Sequence, residues 1–172
     1  MGKIWGFIVL SLIFMISCSK AEKISDNVKN IEISASREKE VNMEKISKTK
    51  EEWRKELPPD ICYIMLDKGT ERPFSGKYYK HKEKGVYVCA ACGNELFSSD
   101  TKFESGTGWP SFYEAIEKGN VETKPDSTGG IIRTEVLCGR CGGHLGHVFN
   151  DGPAPTGKRF CINSKALDFE KE

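Results

Sequence analysis

Two short runs carry paired thiols. Cys89-Ala90-Ala91-Cys92 is followed by Gly93, and Cys138-Gly139-Arg140-Cys141 by Gly142. In each, the glycine lets the chain turn sharply, so that both sulfurs face one point. Four thiolates at about 2.3 Å form a closed tetrahedron around Zn²⁺ with no open position, so such an ion holds a fold and does no chemistry. The 45 residues between the pairs exceed the roughly 15–20 of a zinc ribbon. The metal would therefore staple distant parts of the chain. Two readings compete. An exported protein can form disulfides. A single CxxC can be a redox motif, but those sit at a strand-to-helix turn, and none is visible here.

Of the seven cysteines, Cys18, Cys62 and Cys161 stand outside these pairs. In a strand, Arg159, Cys161 and Asn163 would share one face. A guanidinium beside a thiol lowers its pKa from about 8.5, which makes Cys161 a candidate activated thiolate. His144 and His147 can add charge or protons, and Asp151 stands where it could orient an imidazole. The competing reading is a buried structural cysteine on a core strand, and the local pattern alone does not separate the two.

These groups need elements to position them. Leu57-Pro58-Pro59-Asp60 breaks any preceding helix, and Ile61 to Leu66 predicts a helix of one or two turns. Val86 and Val88, then Leu96 and Phe97, flank the first cysteine pair in strand-like fashion. Trp109 to Lys118, opened by Pro110 and closed by Gly119, predicts a short surface helix. Ile131 to Leu137 alternates as a half-buried strand does. His147–Phe149 and Arg159–Asn163 are further strand candidates, and the two histidines are placed on a loop before Asp151. Gly129-Gly130 and Gly142-Gly143 mark tight turns. The fold class is mainly β, antiparallel, with small helices.

The same residues carry a resemblance. Gly69-Thr70-Glu71-Arg72-Pro73-Phe74-Ser75-Gly76, Ser105-Gly106-Thr107-Gly108-Trp109-Pro110-Ser111-Phe112, His144-Leu145-Gly146-His147-Val148-Phe149, Asp151-Gly152-Pro153-Ala154-Pro155-Thr156-Gly157 and Arg159-Phe160-Cys161-Ile162-Asn163-Ser164, with both CxxC pairs, resemble the B-type methionine sulfoxide reductases. The likeness runs from Leu57 to Phe169. That family reduces the R diastereomer of methionine sulfoxide. The Gly-Cys-Phe-Trp run of A-type enzymes is absent.

The resemblance implies two antiparallel sheets and a Cys₄ zinc site remote from the catalytic cysteine. It makes Cys161 the nucleophile and Trp109 an apolar wall for the substrate methyl group. His144, His147, Asp151, Arg159 and Asn163 would surround the thiolate and the sulfoxide oxygen. The expected course is attack by the thiolate, a sulfenic acid, a disulfide, and recycling by a thioredoxin-like reductant. Oxidised proteins are the implied substrates. One departure stands out. Many members keep a resolving cysteine in Ser-Gly-Cys-Gly-Trp-Pro-Ser-Phe, where this chain has Thr107. Either Cys62 resolves the sulfenic acid or the reductant attacks it directly; Cys62 is the expectation carried forward. A zinc-stapled binding module that displays Trp109 and the histidines is the rival class, and it predicts a dispensable Cys161.

Upstream, residues 1–17 read as a signal peptide. Lys3 is positive, and Ile4 to Ile16 is an apolar run too short for a comfortable span of about 20 residues. Met15-Ile16-Ser17-Cys18 resembles a bacterial lipobox, which makes Cys18 the acylated residue of an extracytoplasmic, membrane-tethered lipoprotein. Ordinary signal cleavage, giving a secreted or periplasmic soluble protein, is the alternative. Residues 18–56 read as a tether. From 19 to 56 there is no Gly or Pro, and 10 Lys/Arg and 9 Asp/Glu fill half of the 38 positions, too polar to offset ordering entropy. The reductase-like domain is then 57–172. Across 172 residues, 26 Lys/Arg against 25 Asp/Glu give a net charge of +1, no footprint for nucleic acid. A monomer is the default expectation.

Overall fold

The computed structural model describes residues 44–172. The expected signal peptide, the lipobox with Cys18, and most of the tether lie outside the described residues. Two helices open the described part, α1 (Lys50–Glu56) and α2 (Pro59–Met65). Strands follow as β1 (Gly85–Cys89), β2 (Glu95–Ser98), β3 (Lys102–Phe103), β4 (Ser111–Phe112), β5 (Val121–Asp126), β6 (Arg133–Cys138), β7 (His144–Phe149), β8 (Arg159–Ile162) and β9 (Leu167–Lys171). They form two antiparallel sheets, ordered β2-β1-β9 and β3-β4-β8-β7-β6-β5. The expected mainly β architecture is therefore present. No helix among the described residues is long and apolar enough to cross a membrane.

The core lies between the sheets. Tyr87 and Phe97 of the small sheet meet Phe112 of the large one, all three fully buried. The Phe97 and Phe112 rings stack at 4.4 Å, and Tyr87 meets Phe112 edge-on at 5.0 Å. Such aromatic pairs add to the area that they bury. Leu96, Val136, Leu145 and Ile162 complete this layer. On β1, β6 and β8, residues that alternate in sequence alternate between this core and the outer faces.

Each CxxC is the turn of a hairpin. The first joins β1 to β2 and the second joins β6 to β7. Gly93 and Gly142 take left-handed φ values of 70° and 71°. Their N–H groups donate to the Cys89 and Cys138 carbonyls at 2.8 and 2.9 Å. A side chain would strain that conformation.

Three expectations meet a different structure. No helix forms over Trp109–Lys118. Instead Ser111 and Phe112 pair with Cys161 and Phe160 as β4, and the Ile162 N–H donates to the Pro110 carbonyl at 3.0 Å. Burial of Phe112 against β8 decides the matter over the helix-start signal of Pro110. The two histidines lie on β7, not on a loop.

The third difference concerns where packing begins. The Ile46 N–H donates to the Arg140 carbonyl at 2.8 Å. Thr49 and Glu52 cap α1 reciprocally, and Trp53 is buried beside Cys62, Leu66, Cys92 and Cys141. The packed chain thus reaches upstream of Leu57. Composition averaged over a charged segment hides a single well-placed tryptophan.

Candidate active site

Four strands of the large sheet set one cross-strand row. Ser111 on β4 faces Cys161 on β8, Cys161 faces His147 on β7, and His147 faces Glu135 on β6. Opposed residues of antiparallel strands share a face and lie within side-chain reach. Above this row opens a cavity of about 170 Å³ whose lining includes Thr70, Trp109, Arg133, His147, Phe149, Cys161 and Asn163. The Trp109 indole N–H donates to the Glu71 carbonyl at 3.2 Å, which fixes its ring on the wall.

Around the thiol, two groups oppose burial. The Thr107 hydroxyl stands 3.9 Å from the Cys161 sulfur and continues through Ser105 to Ser111 at 2.8 and 2.7 Å. Arg159 forks onto Asp151 at 2.9 and 2.8 Å and stacks over Phe149 at 4.4 Å. Burial pushes the Cys161 pKa up, and Thr107 and Arg159 offset this only in part. Asp151 already shares the charge of the guanidinium that was expected to activate this thiol.

A β-bulge brings the histidines together. Residues three apart on a strand face opposite ways, but Leu145 is an extra residue on β7 opposite Val136 and Leu137, and that reverses the parity. The His144 and His147 rings lie 5.4 Å apart. Each has its own carboxylate. His147 Nε2 meets Asp126 at 2.8 Å, and His144 Nδ1 meets Glu135 at 2.8 Å.

Both carboxylates are held in the ionised form. The Thr128 contacts, then His147, hold Asp126 well below the carboxylate range. Burial raises the Glu135 pKa, but Lys68 and His144 outweigh it and leave it low. Lys68 donates to Glu135 at 2.7 Å. Against ionised partners both rings are assigned as donors at the bonded nitrogen. Burial pushes the His144 pKa down and so favours the neutral ring, and its buried Nε2 has no hydrogen-bond partner among the described residues. His147 lines the cavity; His144 stands behind it.

The four CxxC sulfurs lie within 4.8 Å of one another. Cys89 to Cys141 is 3.7 Å and Cys92 to Cys138 is 3.6 Å. A tetrahedron of 2.3 Å metal–sulfur bonds has edges of about 3.8 Å. The donor set thus fits a metal ion with no ligand missing. Asn94 adds an N–H toward the Cys138 sulfur at 3.6 Å, a donor that would steady the charge of a metal-bound thiolate.

Residues 57–171 match the SelR domain. The chain is 63% identical over 127 residues to the peptide methionine sulfoxide reductase MsrB of Methanosarcina barkeri, covering 74% of this chain and 89% of that protein. It is 60% identical over 127 residues to the protein of that name from Leptospira interrogans, covering 74% and 97%. The chain belongs to the methionine sulfoxide reductase B family.

In this methionine sulfoxide reductase B chain, Cys161, His147, Trp109 and Asn163 meet at one cavity. Arg159 reaches it through Cys161. Asp151 does not orient an imidazole; it neutralises and holds Arg159. Asn163 is braced on both sides, accepting from the Glu71 N–H at 3.1 Å and donating to the Leu145 carbonyl at 3.0 Å. Cys62 lies elsewhere. It is buried in the Trp53 cluster beside the metal-side cysteines, and its thiol donates to the Leu57 carbonyl at 3.5 Å.

Asp126, Glu135, Glu71 and Arg133 escaped the sequence reading. Glu135 meets His144 nine residues on, Asp126 meets His147 21 residues on, Glu71 meets residues 92 to 94 positions away, and Arg133 meets Asp126 across the β5–β6 connection, and no local spacing marks such pairs. Glu71 alone had a signal, within a quoted motif. Its carboxylate accepts from the Ser164 and Lys165 N–H groups at 2.7 and 3.1 Å.

Proposed function

We propose that this chain reduces the R diastereomer of peptide-bound methionine sulfoxide, with Cys161 as nucleophile, as part of protein repair outside the cytoplasm. The observation that carries the chemistry is the single thiol on the cavity floor, opposite His147 and beside Trp109. The family's activity is methionine sulfoxide reduction, and this site has the groups for it.

The electrons balance as follows. The Cys161 thiolate attacks the sulfoxide sulfur, and His147 gives a proton to the sulfoxide oxygen, with Asp126 stabilising the imidazolium. The oxygen passes to Cys161 as a sulfenic acid, the substrate sulfur gains two electrons, and methionine leaves. Trp109 offers an apolar face to the substrate methyl group. The raised thiol pKa means that a proton must leave Cys161 before attack. The sulfoxide oxygen is its natural acceptor, by way of His147.

The position of Cys62 supports direct recycling in place of an internal disulfide. Thr107 occupies the near position and carries no thiol. An external dithiol attacks the sulfenic sulfur, water leaves, and the second thiol of that protein releases Cys161. Cys62→Ala should therefore keep thioredoxin-driven turnover.

The four-thiolate set favours one structural zinc ion, bound by Cys89, Cys92, Cys138 and Cys141. Such an ion cross-links two hairpins and takes no part in the reaction. The tethering of the enzyme through acylated Cys18 rests on the leader sequence; palmitate labelling lost in Cys18→Ala tests it. For the activity, separate R and S N-acetyl methionine sulfoxides with a dithiol decide. Methionine from R alone, lost in Cys161→Ser, is the expected result. Equal rates on both diastereomers would overturn the reading.

A further inference from the structure

Large apolar residues stand exposed in segments that adjoin the cavity lining in sequence. Ile131 and Ile132 are 64% and 87% exposed at the tip between β5 and β6. The next residue, Arg133, lines the cavity. Isoleucine is among the residues most often fully buried, so two in succession at one tip form an apolar patch.

On the other flank Phe74 is 62% exposed. Its φ of 64° is a conformation that a bulky residue rarely takes. Its N–H donates to the Gly108 carbonyl at 2.8 Å, and Gly108 packs so closely that a Cβ there would lie 3.1 Å from the Phe74 ring. Gly108 precedes Trp109 of the cavity wall. In this conformation the Phe74 ring meets Tyr79 edge-on at 5.3 Å, with most of its surface still exposed.

Sheet order sets these groups on opposite sides. Trp109 leads into β4 and Arg133 begins β6, with β8 and β7, the strands of Cys161 and His147, between them. A polypeptide whose oxidised side chain enters the cavity must run its neighbouring residues across these flanks. A single blocked amino acid would not reach them.

We propose that Phe74 and the Ile131–Ile132 tip clamp the substrate backbone, selecting methionine sulfoxide that is flanked by bulky apolar residues. This rests on the reductase reading of the Cys161 cavity. The occupant is an extended, apolar stretch of oxidised polypeptide, the kind that a folded protein hides and an unfolded one exposes.

The test pairs two peptides, Val-Met(R-sulfoxide)-Leu and Gly-Met(R-sulfoxide)-Gly, with N-acetyl methionine R-sulfoxide as control. Turnover by the wild-type protein and binding to the Cys161→Ser protein are both measured. The apolar peptide should lead by about tenfold, the scale of covering one further apolar side chain. Ile131→Ser/Ile132→Ser should lose most of that lead, with the control rate unchanged, and Phe74→Ser should lose the remainder. The same lead in all variants, or none in the wild type, would overturn the clamp while a normal control rate leaves the reductase reading standing. A dead control with an Ile-dependent binding preference would overturn the reductase reading and leave the clamp. Self-association abolished by the double substitution, with no peptide preference, would assign the patch to a second copy and also overturn it.

Discussion

Around Cys138 the chain gathers four sulfurs within 4.8 Å of one another. Around Cys161 it gathers a hydroxyl, an imidazole and an indole on one. Both regions draw on the same large sheet, and β6 and β7 serve both. The difference lies in how each sulfur is surrounded. At the knuckles every sulfur has thiol neighbours and the two hairpin turns close on themselves. At the cavity one sulfur has no thiol neighbour among the described residues and has open space above it. The first arrangement suits an ion and the second suits a reaction.

Two substitutions should break this comparison most visibly. Cys161→Ser should lose turnover by about 10⁴-fold or more, the scale seen when a nucleophile is removed, with metal content and melting temperature unchanged. Cys138→Ser should do the reverse in kind, releasing the metal. Structural zinc in small peptides supplies about 10–16 kcal/mol, so the domain should then unfold, and activity should fall only through that unfolding. Metal analysis and calorimetry on both variants check this. Metal loss in Cys161→Ser would join regions that the structure keeps apart.

Next in size is Trp53. It is 6% exposed and lies against Cys92 and Cys141, with the Lys48 ammonium 4.5 Å above its ring. Trp53→Ala should cost about 3 kcal/mol, at the lower end for a buried tryptophan, and should speed metal loss to a chelator. The R-sulfoxide rate of the folded protein should not change, because the cavity does not contain this residue.

Glu135 belongs to the reacting side. It is 2% exposed and accepts from both His144 and Lys68. Glu135→Gln leaves one of those donors facing an amide N–H, at a cost of about 2 kcal/mol. The sign with pH follows from the lowered pKa. A carboxylate held below its unfolded value stabilises the fold above that value, near 4.5, and loses this as pH falls through the folded value. The gap in melting temperature between wild type and Glu135→Gln should therefore be full at pH 6 and shrink below pH 4.5. A gap that widens on acidification would show that Glu135 is protonated in the fold.

The same contrast explains what was legible beforehand. The CxxC pairs and Arg159-Cys161-Asn163 are local patterns, set by a turn or by strand parity; the four CxxC sulfurs do gather at one point, and Cys161 and Asn163 line one cavity. The helix expected at Trp109–Lys118 failed because Phe112 had a place in the core that Pro110 could not announce. Asp126 and Glu135 were invisible because register across three strands chooses them. The histidine pair was legible as a pair, but its shared face depends on one bulge residue, Leu145.

The smallest effect concerns the thiol itself. Burial raises the Cys161 pKa above that of an ordinary thiol, with Thr107 and Arg159 pulling the other way. A thiol of ordinary pKa is a few per cent thiolate at pH 7, and Cys161 should show less. Its alkylation by iodoacetamide should rise about tenfold per pH unit from pH 7, with a midpoint above that of an ordinary thiol. Thr107→Val removes a hydrogen bond to the thiolate, and Arg159→Met removes a positive charge while leaving Asp151 behind. Both should move the midpoint further up. A midpoint near 7 in the resting protein would mean that charge, not burial, governs this sulfur. The activated thiolate expected from the sequence would then be the resting form, and the proton that His147 is asked to carry would have left before substrate arrived.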